Sequence, residues 1–94
     1  MSRREQRTIE LALAILKRSA SAFGDSARND GVQLALRVLL PYVRADTLTS
    51  FWRVAENPNP AQRRQVLHGI MELIECAVAR SRLEGRPAIG EPPQ

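Results

Sequence analysis

From His68 to Cys76 the chain reads HGIMELIEC, a stretch that holds its one histidine, two carboxylates and its one cysteine. Positions four apart lie on one helical face, so His68 and Glu72 form a pair with the composition for proton transfer. Acid–base catalysis also needs a nucleophile or a substrate site beside the base. The pattern places none there, and a surface or interface histidine bonded to a carboxylate accounts for the same spacing. Glu72 and Glu75 are three apart but lack the Glu-x-x-His companion that builds a carboxylate metal centre between helices. One cysteine and one histidine cannot assemble a zinc set within a chain, and a lone cysteine cannot close an internal disulfide. Cys76 therefore reads as a small buried or interfacial residue, not a reactive thiol. The glycines all stand singly, with neither GxxxxGK nor GxGxxG to cradle a phosphate. No catalytic, cofactor-binding or metal-ligating residue is assigned, no cofactor is expected, and the chain is not read as an enzyme.

The remaining chemistry is recognition by arginine and tryptophan. In NPNPAQRRQ, Arg63 and Arg64 fall in the first turn of a helix, where cations oppose the positive end of the helix dipole. An anion opposite them resolves the conflict. It is either an acidic side chain such as Glu56 reaching across the turn, or an external phosphate or acidic protein surface. Phe51 and Trp52 point about 100° apart on a helix, so both cannot fill one narrow core. Tryptophan and arginine are enriched at interaction hot spots. Trp52, Arg53, Arg63 and Arg64 are thus the candidate partner-binding residues, with a core role the alternative for Trp52.

The 94 residues carry 14 Lys and Arg against 10 Asp and Glu, a net charge of +4, and Lys17 is the only lysine. With a pI near 10.6, the chain suits nucleic acid, anionic lipid or an acidic protein surface, and arginine favours forked contacts to carboxylate or phosphate. Arg63 and Arg64 joined to Arg3, Arg4 and Arg7, or to Arg44 and Arg53, would make a basic face for phosphates. The last two helical segments do not read as a helix-turn-helix, because the second of them is long and apolar on two stripes. Of the aromatics Phe23, Tyr42, Phe51 and Trp52, three read as buried, which leaves no platform for stacking bases.

Helices must carry these side chains. Ile9, Leu13, Leu16, Ala20 and Phe23 recur at spacings of four and three, which predicts a helix over about Glu5 to Ala22 with Gly24 ending it. Leu11 and Ile15 lie off that stripe, so this helix touches more than one neighbour. The same N-terminal stretch has the basic start, apolar middle and small-residue end of a secretory signal. Glu10 breaks the apolar run and Lys17 and Arg18 follow it, so it is read as a helix of the mature protein in a reducing cytoplasm. The run is also too short to cross a bilayer, and no membrane partner is expected. A second helix starts at a cap on Asp25 or Ser26, or later near Val32, and carries Val32, Leu36, Leu39, Leu40 and Val43, with Pro41 forcing a kink or break close to Leu40. A third begins at Asp46 as N-cap, with Leu48, Phe51, Trp52 and Ala55 inward. Asn57 before Pro58 closes it, and Asn59 caps the fourth with Pro60 at its first position and Gln62 reaching back.

The fourth helix, about Pro60 to Leu83, has Val66, Leu67, Ile70, Met71, Leu73, Ile74, Ala77 and Val78 on two adjacent stripes, more apolar surface than one neighbour covers. These readings predict an all-α bundle of about four helices, the second kinked or broken at Pro41, in one domain over 1–84 with a flexible Gly/Pro-rich tail over 85–94. A chain this short closes its last apolar face most readily by pairing, so a homodimer is expected, with Leu13, Leu16, Val66, Ile70, Leu73, Ile74 and Ala77 as its core or dimer seam. The expected function is a non-enzymatic interaction or regulatory module that binds a protein partner through an apolar seam rimmed by arginine. The alternative is a small basic nucleic-acid-binding regulator.

Overall fold

Ser2 begins the first helix two residues earlier than the apolar pattern predicts. In a computed structural model that describes residues 2–84, its Oγ accepts from the Glu5 N–H at 3.1 Å and donates to the Glu5 carboxylate at 3.2 Å. The Ser-x-x-Glu spacing is thus used as a cap. The expected tail at 85–94 lies outside the described residues. Helix α1 (Arg3–Ala20) is followed by α2 (Asp30–Leu39), α3 (Ala45–Val54) and α4 (Pro60–Glu84), with no strand among the described residues.

The other boundaries follow from caps as well. Asn29, rather than Asp25 or Ser26, caps α2, its Oδ1 accepting from the Val32 N–H at 2.9 Å. Leu39 closes α2, and the Tyr42 and Val43 N–H groups turn back onto the Leu39 carbonyl at 2.9 and 3.0 Å, which leaves Pro41 outside the helix. Asp46 is not the N-cap of α3. Arg44 holds that position, and Asp46 sits in the first turn, where its carboxylate takes the Thr47 N–H at 2.9 Å. Asn59 caps α4 as expected, accepting from the Gln62 N–H at 3.1 Å. Gln62 does not complete the box, because Asn57 Oδ1 has already taken the Asn59 N–H at 2.9 Å, and the Gln62 side chain accepts from Asn57 Nδ2 instead.

The helices pack in a chain of pairs, α2 against α1, α1 against α4 and α4 against α3. Ile9 and Leu16 from α1, Val32 and Leu39 from α2, Leu48 and Phe51 from α3, and Leu67, Met71, Ile74 and Val78 from α4 close one core. Each such side chain contributes about 1.5–3 kcal/mol of burial against a chain entropy of comparable total size. Ala12, Ala35 and Ala55 are buried among them, and their small side chains permit close approach of the helix backbones. Helix α4 is about 37 Å long at about 1.5 Å per residue, most of the 45 Å length of the molecule. It is the element on which α1 and α3 are mounted.

Phe23 is the largest departure from the predicted core. Helix α1 stops at Ala20, short of the residue that would have continued its inner stripe, and the Phe23 ring is 74% exposed.

Candidate functional site

The two arginines of NPNPAQRRQ part company. Arg63 is fully buried, and among the described residues no carboxylate pairs with it. Its guanidinium donates to the carbonyls of Ala22 at 2.7 Å, Gly24 at 2.9 Å and Asn57 at 2.8 Å. Ala22 and Gly24 follow the end of α1 and Asn57 follows the end of α3, so the charge sits against two helix C-termini, where the dipoles are negative and carbonyls lack intrahelical partners. That resolves the cost of a cation in the first turn of α4 without Glu56 and without an external phosphate. Contrary to the expectation from the sequence, Arg63 thus presents no guanidinium to a partner. Its Nε finds no hydrogen-bond partner among the described residues.

Arg64, one residue on, stays at the surface and lies 4.5 Å from the centre of the exposed Phe23 ring. Arg64 also lines an open groove of about 760 Å³ between the end of α1 and the first half of α4, together with Lys17, His68, Glu72 and Glu75 and with Ala20 and Met71. Lys17 and Glu75 bridge at 3.3 Å. His68 Nε2 lies 3.5 Å from Glu72 Oε1 with both side chains largely exposed, and neither a hydroxyl nor a thiol is bonded to that imidazole among the described residues. The charges here are mixed and largely answered. Among the described residues no three His, Cys, Asp or Glu side chains are placed to hold a metal ion, and no helix is long and apolar enough to cross a membrane.

A second surface lies between α2 and α3. Leu36, Leu40, Leu48 and Trp52 floor a cleft of about 250 Å³, with Gln33, Arg37, Ala45 and Thr49 at its edges. Trp52 is half-buried rather than central, and Phe51 takes the core position beside it. The loop between α1 and α2 fixes the tryptophan. Arg28 stacks 4.6 Å from its ring centre, donates through Nε to the Trp52 carbonyl at 3.0 Å and pairs with Glu56 at 3.0 Å. Ser26 Oγ and the Ala27 N–H both donate to the Ala55 carbonyl, at 3.1 and 2.7 Å, so this loop and Arg63 together take up exposed carbonyls at the end of α3. Arg53 is exposed, one turn beyond Thr49 on the same row of α3.

The residues expected at a core or dimer seam divide in two. Leu16 and Ile74 are fully buried within the chain. Leu13, Ile70 and Ala77 are partly buried against the core, while Val66 is 44% and Leu73 62% exposed. Val66, Ile70, Leu73 and Ala77 form the row of α4 beside the buried one, and the exposed Cys76 follows Glu75 next to Ala77. On α1 the surplus apolar surface is at Leu11 and Ile15, not at Leu13 and Leu16.

Three groups outside these surfaces, in two contacts, are shifted in their titration. The Tyr42 hydroxyl is pushed above its ordinary value by burial first and then by the neighbouring Glu5 carboxylate, 3.3 Å away. Asp46 is held below the usual carboxylate range by the Arg44 guanidinium bonded to it, and Arg44 is raised in turn. Both are local ties at helix ends.

The sequence pattern did not single out Arg28, Arg37 or Leu40 as surface residues of a site. Leu36 and Leu40 are apolar at i, i+4, yet only Leu36 joins the core, and Leu40, just past the end of α2, is left 48% exposed. No family model, curated protein or solved structure matches the chain, so the functional reading rests on these residues.

Proposed function

We propose that the chain is a non-enzymatic helical interaction module that pairs with a second copy of itself and binds a protein partner through apolar surface rimmed by arginine. The observation that carries this reading is the outer stripe of α4. Val66, Ile70, Leu73 and Ala77 repeat at four, three and four, the spacing of a helix-pairing seam; Val66 and Leu73 are exposed, and Ile70 and Ala77 are only half-covered by the core. Scattered apolar side chains are ordinary on a surface, whereas a continuous apolar row calls for a cover. A molecule 45 by 22 Å across its broad face has room for the roughly 800 Å² per partner of a stable pair. A reducing cytoplasm is the proposed setting, in keeping with an exposed, unpaired Cys76.

Light scattering on the purified protein tests the pairing. The expected mass is twice the chain mass of 10.5 kDa, reduced to a single chain by Leu73→Glu with helicity unchanged. A monomer across the micromolar range would overturn the self-association.

Nucleic-acid binding is the second reading, favoured by Arg3, Arg4 and Arg7, which are exposed on the first turns of α1 and have no ion pair among the described residues. It ranks second because Arg63, half of the arginine pair on which it leaned, offers no guanidinium to solvent. Binding to generic duplex DNA that weakens steeply as salt rises would move it to first place.

A further inference from the structure

The partner surface can be given a chemistry. We propose that the cleft between α2 and α3 receives an amphipathic helix whose apolar residues are flanked by aspartate or glutamate. This rests on the reading of the chain as an interaction module and names what that module binds.

The floor is apolar and open where it needs to be. Leu36 and Leu48 are nearly closed to solvent, but Leu40 is 48% exposed and Trp52 is half-buried beside it. A volume of about 250 Å³ is below the roughly 300–1,000 Å³ of small-molecule pockets. The lining from Gln33 to Leu40 extends about 10 Å along α2 at about 1.5 Å per residue, the length of two turns of a docked helix. A cleft between two helices accepts a third helix through side chains at i, i+4 and i+7, and no strand edge is present among the described residues for an extended peptide to join.

The rim selects the charge. Arg37 and Arg53 have no ion pair among the described residues, in contrast to Arg44, which is tied to Asp46. Arg28 is held rigid over Trp52, and its remaining charge is shared with the exposed Glu56. Carboxylates on the incoming helix would meet the unanswered Arg37 at the edge of the cleft and Arg53 one turn beyond Thr49, where electrostatics steer association and choose among partners. A nucleic-acid backbone would satisfy the same guanidiniums but leave Leu40 and Trp52 uncovered, so a peptide fits the whole surface and phosphates fit half of it.

The full chain is titrated with two synthetic helical peptides identical in their leucines at i, i+4 and i+7, one flanked by glutamates and the other by lysines. Trp52, the sole tryptophan, reports through its emission, and calorimetry reports binding wherever it occurs. The acidic peptide is expected to shift the emission saturably and to bind at least about tenfold more tightly than the basic one. Arg37→Glu combined with Arg53→Glu, both at exposed positions, is expected to invert that preference. Equal binding of the two peptides, no binding of either, or an acidic peptide indifferent to the charge reversal each overturns the proposal. So does displacement of the acidic peptide by generic duplex DNA at the same tryptophan. A dimer that ignores both peptides would sink the cleft and spare the α4 pairing, whereas a monomer that binds charge-selectively would sink the pairing and spare the cleft.

Discussion

On α4, Leu67, Ile74 and Val78 are closed to solvent, whereas Val66 and Leu73, each one residue from a member of that row, are 44% and 62% exposed. The two rows have nearly the same apolar composition, and either would make an acceptable inner face for a helix. What differs is the residue at the head of each. The inner row begins with Arg63, whose three bonds to the carbonyls of Ala22, Gly24 and Asn57 can form at only one rotation of α4 about its axis. Turning α4 by about 100°, one residue's worth, would place the outer row inward and strand those carbonyls. Burial of apolar surface holds α4 to the bundle, and the arginine selects which side of it is held. A buried charge is an expensive way to gain stability, and the expectation for this chain is that Arg63 contributes the orientation of α4 instead.

The contrast is broken most directly at Arg63. Arg63→Met keeps the straight chain and removes the donors, leaving three carbonyls short of partners, and the expected loss is about 3–5 kcal/mol. That is a large part of the stability of a domain this size. Urea unfolding followed by helicity measures it. A loss below about 1 kcal/mol would show that apolar contacts alone orient α4. Next in size is the pair Ile74→Ala and Leu73→Ala. The inner truncation empties a closed site and should cost about 2–4 kcal/mol. The outer one should cost under about 0.5 kcal/mol at dilutions where the chain is single. Raising the concentration sharpens the comparison, since a paired outer row makes Leu73→Ala costly only once the copies associate.

Much of this architecture is legible in local residue patterns. Asn59 and Pro60 announce the start of α4, the two apolar rows announce its length and surplus, and Ser2 with Glu5 states a cap that the apolar periodicity of α1 does not include. The division of labour between the rows is not legible, because it depends on Arg63 meeting carbonyls about 40 residues away in a loop without periodicity. An arginine in a first helical turn reads as exposed on every local rule. Phe23 misleads for the opposite reason. It continues the spacing of the inner stripe of α1, but the helix ends at Ala20 and the chain departs before the ring can turn inward. The cleft between α2 and α3 depends on the break after Leu39 and on a loop arginine, Arg28, reaching Trp52. Neither contact has a signature in residue spacing.

The smallest effect lies in a tie that serves neither row. At the start of α3, Arg44 binds Asp46 through Nε at 3.2 Å and Nη2 at 3.3 Å, and this lowers the carboxyl's proton affinity in the folded chain. A carboxyl depressed on folding adds stability above its unfolded pKa, and that contribution is lost as pH falls through the folded value. Both side chains are open to solvent, so salt screens the pair and its share is minor. Asp46→Asn should therefore lower the urea midpoint slightly near neutral pH and not at all in strong acid, with the two midpoints converging as the carboxyl of the unmodified chain takes up its proton. Coincident midpoints across that range would mean that Asp46 acts through its bond to the Thr47 N–H, which the amide oxygen of asparagine also accepts. The start of α3 would then be held by a neutral hydrogen bond within its first turn, in contrast to the dependence on the buried Arg63 charge expected of α4.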